Sequence, residues 1–242
     1  MINIALFGAS GKMGRALIEE SKKVESIEIN NFIVSESSKY LGKDVGENFF
    51  DEPSEEIFTT YPNKPFDCVI DFATEINFEA RLEIYKKLNK PLLFCATGIN
   101  ENQLENLKLL AKKFPVFIAP NTSILTALMT KFLTHIPQIE DSFQIKISEK
   151  HHKSKIDSPS GTAILLANAV NFDTNKVDSF REGDQGNWHK VSISNEFEEL
   201  ELKHSSRNRS IYAQGALNIV KWFYQKPKNL YYMQTLIEDI YE

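Results

Sequence analysis

The chain has 242 residues, 42% apolar and 25% charged, with a net charge of −5. This is not the low hydrophobicity and high charge of a disordered chain, and no run of about 18 apolar residues is present to cross a membrane. The mild acidity argues against a nucleic-acid binder, although a local basic cluster can still hold a small anion. Two cysteines, Cys68 and Cys95, lie in apolar surroundings. They are too few for a disulfide framework or a zinc site, so no metal is expected. The N-terminus, MINIALFGASG, lacks the basic and apolar regions of a signal peptide. A cytoplasmic protein with reduced thiols is therefore expected.

In chain order, residues 2–7 form a near-continuous apolar run, as in a strand buried on both faces. Residues 12–24 follow with a helical stripe of Met13, Ala16, Leu17 and Ile18. Strands are expected at 28–34, 66–72, 91–95 and 115–119, and helices at 76–88 and 101–113. Strand alternating with helix points to a parallel sheet covered by helices. The rhythm changes after Asn121. A helix at 123–133 precedes 142–150, where Phe143, Ile145 and Ile147 alternate with polar residues, as in a half-exposed strand. Residues 190–204 suggest a strand or strand pair, and 211–223 return to helix. The expectation is an α/β nucleotide domain followed by a smaller α+β domain.

Gly8, Gly11 and Gly14 lie between the first strand and the first helix. Glycines there let the backbone turn tightly against a pyrophosphate, and the helix start offers N–H groups and a positive dipole end. Lys12 adds a cation. The spacing is G-x-x-G-x-x-G, with Ala9 in place of the first glycine of the usual dinucleotide fingerprint. Beyond the second strand, Glu36 stands near the position of a ribose-binding acid. Ser35, Ser37, Ser38 and Lys39 could instead receive a 2′-phosphate.

The stretch from Glu149 to Ala163, EKHHKSKIDSPSGTA, packs Lys150, His151, His152, Lys153 and Lys155 into six residues of an acidic chain. Such a cluster suits an anion, here more than one carboxylate. Ser158-Pro159 reads as a helix N-cap followed by proline at the first helical position. That would leave the N–H groups of Ser160, Gly161 and Thr162 free for an anion. A histidine or a lysine in such a cluster can deliver a proton.

These motifs resemble the dihydrodipicolinate reductase family. The resemblance rests on Gly8–Gly14, on E-x-H-H-x-x-K-x-D-x-P-S-G-T-A from Glu149 to Ala163, and on Ala119-Pro120-Asn121. Weaker echoes are Ala96-Thr97-Gly98, the R-x-G-D…H stretch from Arg181 to His189, and Arg209 ahead of Ala213-Gln214-Gly215-Ala216. The resemblance implies NADH- or NADPH-dependent reduction of a cyclic dicarboxylate in lysine and diaminopimelate synthesis. It implies a Rossmann-like cofactor domain at 1–122 with 209–242, and an open-sheet substrate and oligomerisation domain at 123–208. Hinges fall near Asn121 and Arg209, and homotetramers are usual.

By the same resemblance, His151 and Lys155 are catalytic, and His152, Lys155, Ser160, Gly161 and Thr162 hold the substrate. The cofactor would meet Gly8, Ala9, Ser10, Gly11, Lys12, Met13, Ser35, Cys95, Ala96, Thr97, Ala119, Pro120, Asn121, Thr122 and Arg209. Several positions depart from the family pattern. Val34-Ser35 replaces an acid and an arginine, Cys95-Ala96 a Gly-Thr pair, and Thr122 a phenylalanine. Leu125 stands where glycine is usual, and the stretch from Ala169 to Arg181 is short. Two rival readings are a catalytically silent NAD(P)-binding regulator and a dehydrogenase of another small amino or keto acid.

Overall fold

The computed structural model describes residues 1–139, 143–183 and 186–241. Ser142, expected to open a strand, lies outside the described residues, as do Asp184 of the R-x-G-D stretch and Glu242. The chain divides into two units, Met1–Thr122 with Ser210–Glu242, and Ser123–Arg209. Arg209, expected at the head of the returning segment, falls in the second unit.

The first unit begins with β1 (Ile2–Phe7), α1 (Lys12–Ser21), β2 (Ile27–Ile33), α2 (Val45–Phe50) and β3 (Phe58–Thr59). It continues through β4 (Cys68–Asp71), α3 (Phe78–Leu88), β5 (Leu92–Phe94), α4 (Glu101–Ala111) and β6 (Val116–Ile118). The second unit holds α5 (Ile124–Leu133), α6 (Ile136–Ile139), β7 (Gln144–His151), α7 (Gly161–Ala169), β8 (Asp178–Arg181), β9 (Asn187–Ser194) and β10 (Glu199–Ser206). The chain returns to the first unit as α8 (Ser210–Phe223), β11 (Leu230–Tyr232) and α9 (Met233–Tyr241).

The first sheet is parallel throughout, in the order β11-β6-β5-β4-β1-β2-β3. Its strands are buried runs because helices cover a parallel sheet on both faces. Ile4, Ala5 and Leu6 of the central strand are fully buried. From β1 the chain moves outward to β2 and β3, then crosses back to β4 on the other flank of β1. That reversal leaves a crevice at the carboxyl ends of β1 and β4, where open α/β sheets bind ligands.

Some elements differ from expectation for local reasons. Helix α3 starts at Phe78 because Asn77 adopts a left-handed conformation at φ 59°. The short α2, β3 and β11 carry too few residues to show a period. The 190–204 segment is a hairpin, its turn fixed by Asn195 Oδ1 accepting from the N–H groups of Phe197 and Glu198.

The second unit is a four-stranded sheet in the order β10-β9-β7-β8, antiparallel except for the β7–β8 pair. Its core joins Leu133, Ile136, Ile147, Leu166, Val191 and Ile193. The shortened stretch after α7 becomes a 3₁₀ turn at Thr174–Lys176 and the four-residue edge strand β8.

Candidate active site

In the first unit, the expected cofactor residues fall along the carboxyl edge of the parallel sheet. Gly8–Met13 follows β1, Ser35 lies beyond β2, Cys95–Thr97 follows β5, and Ala119–Thr122 follows β6. Gly8 is left-handed at φ +74°, and a Cβ on it would lie 2.6 Å from the Ala73 nitrogen. A Cβ on Gly14 would lie 2.4 Å from the Gly8 carbonyl oxygen, so the turn and α1 pack backbone to backbone. Gly11 caps α1 without a side-chain hydrogen bond. The first-turn N–H groups of Lys12 and Met13 are therefore left for a ligand, as a pyrophosphate cradle needs.

Other expected cofactor contacts are restricted by their surroundings. The N–H groups of Gly8 and Ala9 already donate to the Ile33 carbonyl, and Ala9 is fully buried. Cys95, Ala96, Ala119 and Thr122 are buried too. Cys95 N–H donates to the Asp71 carbonyl, and burial holds its thiol well above the usual range. Thr122 Oγ1 donates to the Tyr212 carbonyl at 2.6 Å, and α8 carries Gly215 where a Cβ would strike the Thr122 oxygen. Ser35, Thr97 and Pro120 are exposed, and Asn121 is half-buried. Ser35 Oγ lies 3.3 Å from Ser37 Oγ. Arg209 is exposed and belongs to the second unit.

A network unforeseen in the sequence supports the crevice. Asp71, at the end of β4, is fully buried and pairs with Arg81 Nε at 2.9 Å. Tyr85 donates to the same carboxylate, and Ala73 N–H donates to its other oxygen at 2.6 Å. Arg81 also donates to the Ile76 and Thr74 carbonyls, fixing the loop after β4. Burial pushes the Asp71 carboxyl up, and the Arg81 charge opposes it without cancelling it.

In the second unit, the alternation that buries Ile147 continues along β7 and places Glu149 and His151 on the same inward face. His189 on β9 pairs in register with Glu149. The three groups converge. Glu149 Oε2 lies 3.2 Å from His151 Nε2 and 3.5 Å from His189 Nε2, and those two nitrogens are 3.3 Å apart. The converging atoms all lie within 4.8 Å of one another. Such spacing would admit a metal ion, but the Arg181 guanidinium already balances this carboxylate at 2.9 Å. We read the group as a buried charge cluster, with Oε1 hydrogen-bonded and Oε2 facing the two imidazoles without a hydrogen bond among the described residues.

Burial pushes the Glu149 carboxyl up, yet the facing imidazoles of His151 and His189, with the Ser160 and Arg181 donors, outweigh it and hold it well below the usual range. His189 is lowered by burial, against Glu149, with the charges of His151 and Lys155 adding to the lowering.

The start of α7 departs from the sequence reading. Ser158-Pro159 is not the cap, and their peptide bond is cis. The cap is Ser160, whose Oγ accepts from Ala163 N–H. Ser160 N–H is not free but donates to Glu149 Oε1 at 3.0 Å, and its Oγ lies 3.1 Å from His189 Nε2. Gly161 remains exposed, and a Cβ placed on it would meet no atom within 4 Å. Thr162 is half-buried. His152 is half-buried with Nδ1 2.8 Å from Ser154 Oγ, and Lys155 Nζ pairs with Asp157 Oδ1 at 2.7 Å. Glu149 and His189 were missed as site residues. Their signal was the period-two pattern that sets them on the face of Ile147, Val191 and Ile193.

A glycine-built helix start at the switch point of a parallel sheet is the arrangement of a dinucleotide-binding oxidoreductase, and the second unit carries a buried histidine cluster beside an exposed helix start. The family models of dihydrodipicolinate reductase match residues 2–122 (N-terminus) and 124–237 (C-terminus). The chain belongs to the dihydrodipicolinate reductase family. It is 31% identical to the 4-hydroxy-tetrahydrodipicolinate reductase of Sulfurimonas denitrificans, over 98% of this chain and 100% of the relative. It is also 31% identical to that of Rickettsia canadensis, over 100% of this chain and 99% of the relative. Both pairings run longer than this chain, so each relative carries residues that it lacks. A dipicolinate-bound dihydrodipicolinate reductase from Paenisporosarcina sp. TG-14 shares the fold, with TM-score 0.79 at 22% identity, covering 96% of this chain and 97% of that one.

Proposed function

We propose that the protein reduces 4-hydroxy-tetrahydrodipicolinate to tetrahydrodipicolinate, with loss of water, using NADH or NADPH in lysine and diaminopimelate synthesis. The observation that carries this reading is the joining, through Glu149, of a histidine to an open helix start. His151 faces one carboxylate oxygen, and the Ser160 N–H before exposed Gly161 holds the other. The cofactor reading is supported by the uncapped start of α1 and by Gly8 and Gly14, where a Cβ would collide with backbone. When bound, the nicotinamide supplies a hydride.

The chain's own residues divide the remaining tasks. Gly161 lets a substrate carboxylate approach the first turn of α7, with Thr162 beside it. The helix dipole and the cations of Lys155 and His152 favour the anion. Ser160 contributes indirectly, by capping the helix and fixing it to Glu149. Hydride addition builds negative charge on the ring, and a positioned cation stabilises it. His151 or Lys155 then supplies the proton. Lys155 must leave Asp157 to do so.

Lys12 and Met13 present N–H groups to the pyrophosphate, and Thr97 and Asn121 complete the sheet edge. Val34-Ser35 stand where an acid and an arginine are usual, with Glu36 one residue further, and NADH or NADPH is the cofactor in this reading. The same reading makes the protein a cytoplasmic homotetramer, which analytical ultracentrifugation checks for assembly. Absorbance at 340 nm tests the activity. NADH or NADPH should be oxidised when the cyclic substrate is added. Oxidation only with other amino or keto acids, or with none, would overturn the reading.

A further inference from the structure

Glu149 is fully buried, and a buried carboxylate is costly unless its partners are well placed. Its Oε1 receives three donors, Ser160 N–H at 3.0 Å, Ser179 O–H at 3.0 Å and Arg181 Nη2 at 2.9 Å. Those three fix the plane of the carboxylate. Its Oε2 is left facing the Nε2 atoms of His151 and His189. Oε2 receives no hydrogen bond among the described residues, so it acts on the two imidazoles through its charge, which favours a proton on the Nε2 atoms before it. His151 Nδ1 has no partner among the described residues. The group reaches further still. Arg181 Nη2 also donates to the Asp157 carbonyl at 2.5 Å, and Asp157 holds Lys155.

We propose that Glu149 is the positioning residue of this site. It turns the Nε2–H edge of His151 inward, so that the imidazolium delivers its Nδ1 proton and keeps the Nε2 one, and it locks that histidine to the helix start that takes the substrate carboxylate. The inference rests on the reading of His151 as proton donor, but its first test does not. In nitrogen-15 spectra of the substrate-free protein, neutral His151 should carry its proton on Nε2. A spectrum with the proton on Nδ1 overturns the proposal.

Glu149→Gln supplies the second test. Three donors around Oε1 keep the amide oxygen on their side, so the NH₂ faces the histidines. An NH₂ needs an acceptor, and His151 should switch its proton to Nδ1. We expect kcat to fall about 10²-fold, because a neutral amide no longer stabilises the imidazolium whose Nδ1 proton is delivered. The KM for the dicarboxylate should change less than about threefold, because Ser160 keeps its acceptor. Glu149→Asp keeps the charge and should recover part of kcat. An unchanged tautomer in Glu149→Gln overturns the proposal, as does a loss of kcat matched by a similar rise in KM in both variants. If His151→Ala instead keeps full turnover, the proton-donor reading fails while the tautomer result still stands.

Discussion

The two regions where this chain gathers its chemistry are made differently. Along the carboxyl edge of the first sheet, the expected ligand contacts are backbone. Gly8 and Gly14 remove side chains, α1 starts uncapped, and Ala9, Cys95, Ala96, Ala119 and Thr122 face inward. At the end of β7 the chemistry is side chain, with Glu149, His151 and His189 buried together and Arg181 beside them. A cofactor that brings its own reactivity needs shape and N–H groups. A substrate that must be gripped by its carboxylates and protonated needs ionisable groups held in a fixed relation. The first region should therefore fail through packing, and the second through chemistry and pH.

The largest expected effect is structural and falls in the first region. Arg81→Ala strands the Asp71 carboxylate in the core, which typically costs about 3–5 kcal/mol. Thermal unfolding should register it as a large loss of Tm, and an unchanged Tm would break the contrast. Next come His151→Ala and Lys155→Ala, each expected to lower kcat by about 10²-fold, the usual contribution of a general acid, with cofactor KM preserved. Near-normal turnover in both would remove the catalytic assignment.

Gly161→Leu meets no atom within 4 Å at its Cβ, so the fold should tolerate it. Its side chain blocks carboxylate approach, and KM should rise about tenfold, equivalent to ~1.4 kcal/mol. An unchanged KM would place the carboxylate elsewhere.

The smallest effect is on acid stability. His189 is held below its ordinary 6.5, so the unfolded chain takes the proton first. Its contribution is complete above pH 6.5 and is lost as pH falls toward the lowered folded value. Glu149 is held below its ordinary 4.5, and its contribution is lost as pH falls further. Calorimetry should show Tm of the wild type declining below pH 6.5, and His189→Asn should flatten the first part of that decline. An identical slope in the variant would contradict the assignment to His189.

The contrast also explains what the sequence made legible. Long apolar runs such as 2–7 and the glycine spacing at 8, 11 and 14 report local geometry, and they placed β1, α1 and the turn between them. His151, His152 and Lys155 stand in one short segment, so they too were visible as a cluster. What escaped was made by pairing across the sheet. Glu149 meets the sequence-distant His189 only through the β7–β9 register, and Ser160 N–H bonds to Glu149 rather than to a ligand. The cap shifted from Ser158 to Ser160 because a seryl-prolyl pair can mark a turn as readily as a helix start. Asp71, Arg81 and Tyr85 were passed over since an ionisable residue at a strand end gives no hint of its partners.

The most direct measurement is calorimetric titration of dipicolinate, pyridine-2,6-dicarboxylate, into the wild type and into Gly161→Leu and Lys155→Ala, with NADPH titrated in parallel. Dipicolinate should bind the wild type, both substitutions should weaken it by about tenfold or more, and NADPH affinity should stay the same in all three. Failure of the wild type to bind dipicolinate, or binding untouched by both substitutions, would contradict a dicarboxylate site in the second unit.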